Sequence, residues 1–93
     1  MTITIQADPQ AEGNFRVTVR EGGTHSSHLV TLKPDYYQKL TGGTVSPEEL
    51  VRRSFEFLLA REPKESILGA FDLPVIARYF PEYEREIKKR LGR

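Results

Sequence analysis

The first third of the chain alternates apolar and polar positions. In "TITIQA", Ile3 and Ile5 fall on one side, and Thr2 and Thr4 on the other. In "NFRVTVR", Phe15, Val17 and Val19 oppose Arg16, Thr18 and Arg20. A period of two with β-branched residues predicts strands. "HLVTL" predicts a third strand, folded back on the second as a hairpin. "DPQAEGN" supplies the residues of a turn and "EGGTHSS" those of a loop. The expected unit is an antiparallel meander of three strands with one apolar face and one wet face.

The period then changes. "KPDYYQKLTGG" places Pro34 where a helix starts, Asp35 in its first turn, and Gly42 and Gly43 where it stops, so a short helix is expected over 34–41. "SPEELVRRSFEFLLAR" predicts the long helix, about 47–61. Ser46 is the N-cap, Pro47 the first helical residue, and Glu49 the third, which predicts a capping box. Leu50, Val51, Ser54, Phe55, Leu58 and Leu59 spread over an arc of roughly 180°, wider than the apolar stripe of about 100° on a surface helix. That helix needs cover on two sides.

The segment 66–87 supplies the second cover. "PKESILGAF" predicts one or two helical turns, and Asp72 is placed to cap "LPVIARYF". Pro81 starts "PEYEREIKKRL" and forces a bend after Phe80. Ile76, Phe80, Tyr83, Ile87 and Leu91 continue one apolar stripe across the bend. Glu84–Lys88 and Glu86–Arg90 have the spacing of helical ion pairs. The whole is expected to be one α+β domain over 1–93: three antiparallel strands, a short helix, a long central helix and a bent C-terminal helical pair on one face.

Charge changes this picture little. The chain carries 14 Lys and Arg against 13 Asp and Glu, a net charge of +1, which argues against a dedicated nucleic-acid module. Only the tail from Arg85 to Arg93 is basic. There is no cysteine, so no disulfide or thiolate metal site exists. No apolar run approaches the roughly 18 residues of a membrane span, and the N-terminus lacks the pattern of a signal peptide. A cytoplasmic protein is expected.

Candidate chemistry is sparse. His25 and His28 are three apart, point to opposite faces if extended, and are too few to hold zinc. No phosphate-binding glycine loop or nucleophile elbow is present. An enzyme is not expected, nor a cofactor. Two binding surfaces remain. Tyr36 and Tyr37 are adjacent on a helix, so one is expected inside and the other free as a contact. Tyr79 lies at the edge of the C-terminal stripe and is a third contact candidate. Arg16 and Arg20 on the wet sheet face, with Lys88, Lys89 and Arg90, are the candidates for nucleic acid.

"HLVTLKPDYYQKL", "SFEFLLAREPKESIL" and "FDLPVIARYFPEYE" together resemble a family of short, uncharacterised bacterial proteins, over about 28–86. The resemblance implies a bacterial, cytosolic protein and no particular activity. Three strands followed by a capped helix are also similar in outline to HicB-like antitoxins, which neutralise an RNA-cleaving toxin. The antitoxin motif between the strands is missing, and the C-terminal half does not resemble a helix-turn-helix or ribbon-helix-helix segment. The sequence therefore points to a non-catalytic protein that binds another macromolecule, foremost a protein or a second copy, with nucleic acid second.

Overall fold

In the computed structural model, which describes residues 2–92, four strands form one sheet in the order β1-β2-β3-β4. Met1 and Arg93, the end of the basic tail, lie outside the described residues. Strands β1 (Ile3–Pro9), β2 (Asn14–Glu21) and β3 (Thr24–Thr31) are the expected antiparallel meander. The expected loop "EGGTHSS" is shorter than read, because both strands run on to a two-residue turn at Gly22 and Gly23. Gly22 takes φ +60, which a tight hairpin turn needs at its first central position.

The sheet is mixed, not a three-stranded meander. β4 (Ala70–Asp72) pairs parallel with β3, Leu29 opposite Ala70 and Thr31 opposite Asp72. The segment expected to be helical is therefore one 3-10 turn, Lys64–Ser66, followed by a short strand. Asp72 ends that strand and caps nothing; Pro74 stands at the N-cap position of α3 (Val75–Tyr79).

α1 (Pro34–Thr41) closes with Gly42 in the left-handed conformation, and α2 (Pro47–Leu59) opens with Ser46 Oγ accepting from the Glu49 N–H at 3.1 Å. Only this half of the capping box forms. The Glu49 carboxylate turns to Arg52 (2.8 Å) and Arg53 (2.6 Å) instead. Charge-assisted bonds to two guanidinium groups outweigh one bond to a backbone N–H.

Burial follows the alternation. Phe15, Val17, Val19 and Val30 face the helices, and Leu50, Val51, Phe55, Phe57 and Leu58 of α2 bury against them. α4 (Tyr83–Arg90) covers the other side of α2 with Tyr83 and Ile87. Phe57 meets Tyr83 edge-on at 5.3 Å between ring centres. Tyr83 donates to Ser54 Oγ at 2.6 Å, and Ser54 donates on to the Leu50 carbonyl. A wide-faced helix thus carries one hydroxyl where α4 brings another. Phe80 and Leu91, expected in the core stripe, are only half-buried. The bend takes Phe80 to φ −131, ψ 89, as the residue before a proline requires, with its ring edge-on to Phe57 at 5.9 Å between ring centres.

Candidate functional site

The inserted strand creates an open apolar groove. The chain reaches β4 from the end of α2 and leaves it for α3, so residues 66–68, Phe71 and α3 form two walls. Leu58, at the end of α2, lies between them. The result is a groove of about 340 Å³ lined by Leu58, Ile67, Leu68, Phe71, Ile76 and Tyr79, among others. Among the described residues its only charged lining residue is Glu62. Two large apolar side chains stay in solvent at its rim, Leu68 at 47% and Tyr79 at 67% exposure.

The wall at 66–68 is fixed from beneath. His28 is buried on the inner face of β3, its ring 5.3 Å from Phe55, and Phe71 lies 6.1 Å beyond. His28 Nδ1 donates to the Leu68 carbonyl at 2.7 Å, so Nε2 accepts from the Ser26 hydroxyl at 2.8 Å. The Leu29 N–H bonds the Gly69 carbonyl at 2.8 Å. The two histidines point to opposite faces, as their spacing requires. Among the described residues no cluster of His, Asp and Glu is placed to hold a metal ion.

The three tyrosines separate. Tyr79 is exposed and lines the groove, as the edge position anticipated. Tyr36 and Tyr37 correct the expectation of one inside and one free: both are half-buried and both hydroxyls are engaged. Tyr36 donates to Glu84 Oε2 at 2.8 Å, and Tyr37 donates to the Val45 carbonyl. Residues about 100° apart on a helix straddle the contact when the covered face is wide, and each ring buries its body and bonds through its tip.

Glu84 collects two donors, because Lys39 Nζ also lies 3.1 Å from it. Burial pushes the Glu84 carboxyl up, but the hydrogen bonds of Tyr36 and Lys39, with the charges of Lys39 and Lys88, hold it below its ordinary value. Burial and the bond to Glu84 push the Tyr36 phenol well up. Glu84 therefore does not form the expected pair with Lys88, and Glu86 sits 3.9 Å from Lys89 rather than on Arg90. A second groove of about 370 Å³ includes Phe15, Leu32, Pro34, Tyr37 and Pro47, but Phe15 and Leu32 are buried and the Tyr37 hydroxyl is satisfied.

The basic candidates fall into two places. Arg16 and Arg20 project from the uncovered face of β2, and among the described residues no carboxylate pairs with either; Arg16 donates to Ser27 Oγ at 3.3 Å. Lys88, Lys89 and Arg90 belong to the last turn of α4, in the helical layer on the other side of the sheet. The fold does not join them into one surface. No helix among the described residues is long and apolar enough to cross a membrane. No family model, no curated protein and no solved structure matches the chain.

Proposed function

We propose that this is a small non-catalytic protein that binds another protein through the groove between β4 and α3. One observation carries the reading: Leu68 and Tyr79, both large and apolar, stay exposed while lining one groove of about 340 Å³. Exposed apolar side chains scattered singly need no explanation, whereas a set at one concave site marks contact. One wall of the groove is tied to the sheet by the His28 bond to the Leu68 carbonyl.

The test is quantitative affinity capture with isotope-labelled wild type, Tyr79→Ala and Leu68→Glu, each checked for fold by circular dichroism. A genuine partner is retained by wild type and falls by about tenfold or more with both variants, a loss of at least 1.4 kcal/mol. Partners that ignore both substitutions overturn the reading.

The uncovered face with Arg16 and Arg20 favours a second reading, contact with nucleic acid. Binding of that kind weakens steeply as salt rises and is lost in Arg16→Glu with Arg20→Glu. An electrophoretic shift assay that shows no complex at low salt removes it.

A further inference from the structure

β4 is an edge strand, and its free side opens beside the groove. The Leu29 N–H bonds the Gly69 carbonyl, and the Leu73 N–H bonds the Thr31 carbonyl. Alternation along a parallel pair then turns Phe71 toward β3. The backbone N–H and C=O of Ala70 and Asp72 point the other way, where no further strand lies.

Charge supplies the second constraint. Glu62 is the one charged residue of the groove lining, and no cation pairs with it among the described residues. Size supplies the third. At about 340 Å³ the groove is at the low end of the roughly 300–1,000 Å³ of ligand sites, room for one anchor side chain rather than the row that a helix presents.

We propose that the occupant is an extended peptide of a partner protein. It adds as a strand to the free edge of β4, sets one apolar side chain in the groove, and places a Lys or Arg against Glu62. This rests on the protein-binding reading above and names the class of partner. Main-chain bonds to an edge give affinity and the pocket gives selectivity. A second copy fits less well, because the chain's other free edge, β1, carries Asp8 and no basic residue, and would bring an acid toward Glu62.

The probe is a random heptapeptide library displayed on phage and selected on the immobilised full chain. Selected peptides are then synthesised and titrated by fluorescence anisotropy. Peptides with an aromatic or aliphatic residue within two positions of a Lys or Arg are expected. Ala70→Pro removes the edge N–H without removing a bond to β3, and weakens them by about tenfold. Glu62→Lys, outside the strand, weakens them comparably, and a peptide with Glu in place of its basic residue recovers the affinity.

If Ala70→Pro, folded by circular dichroism, binds as wild type while Tyr79→Ala does not, strand addition is wrong and the groove reading stands. Indifference to Tyr79→Ala and Leu68→Glu overturns both. A bound peptide that becomes helical, or a concentration-dependent dimer in sedimentation that Ala70→Pro dissolves, overturns the extended-peptide occupant.

Discussion

Glu12 holds φ +57 in the exposed turn between β1 and β2, and it is followed by Gly13 at φ +77. A side chain in the left-handed region costs roughly 1–2 kcal/mol, while a glycine there costs about 0.5–1 kcal/mol through the unfolded chain. Glu12→Gly is therefore expected to raise stability by about 0.5–1 kcal/mol, read as a higher urea midpoint at unchanged slope. The neighbouring glycine has no such freedom to change, since a Cβ on Gly13 would stand 3.0 Å from the Leu32 carbonyl oxygen. His28 makes the opposite case. Its ring fills space against Phe55 that phenylalanine also fills, but its two nitrogens hold Ser26 and Leu68. His28→Phe keeps the packing and leaves a part-buried carbonyl and hydroxyl without their partner, at a cost of about 1 kcal/mol in the same titration.

Elements with strong local signals were legible in the sequence, and those made by distant pairing were not. Pro34 with Gly42, and Ser46 with Pro47, mark the bounds of α1 and the start of α2 through backbone chemistry that needs no tertiary context. β4 has three residues, too few for a period, and its partner Leu29 lies far back in the chain. Gly69 just before it and Ala70 within it read equally well as a turn. The groove was hidden for the same reason, although the exposed edge position of Tyr79 was visible from its offset to the stripe. Glu84 shows the limit for charges: spacing proposed Lys88, and packing of α1 against α4 delivered Lys39 and Tyr36. That contact sets an acid dependence. A carboxyl held low in the folded state adds stability above its ordinary value of 4.5, and the stability is lost as pH falls through the lower folded value. Glu84→Gln is expected to cost about 1 kcal/mol at pH 7 and to flatten the stability curve below pH 4.5. Equal acid slopes for both proteins in urea titrations would remove Glu84 from that role.

At the scale of the molecule, two kinds of pairing share one strand. β3 joins β2 through a two-residue turn, and joins β4 only after α1 and α2 have been traversed. Local pairing forms with little loop entropy, and distant pairing must be carried by side-chain burial. β2 and β3 have that burial in Val17, Val19 and Val30, whereas β4 contributes only Phe71, which is half-buried. The β4–α3 wall should therefore open without unfolding the rest, while Tyr83 and Ile87 keep α4 in place. Neighbouring amides of β3 report the two sides separately. The Leu29 N–H bonds Gly69 across the β4 side, so the Val30 N–H, one residue on, faces β2 opposite Phe15. Native-state hydrogen exchange should show Leu29 exchanging through a local opening and Val30 only with global unfolding, so the Leu29 rate depends far less on denaturant. His28→Phe should accelerate Leu29 more than Val30, because it releases Leu68 from the wall. If both amides exchange with the same free energy and the same denaturant slope, β4 belongs to the global unit, and the groove is as rigid as the core beneath it.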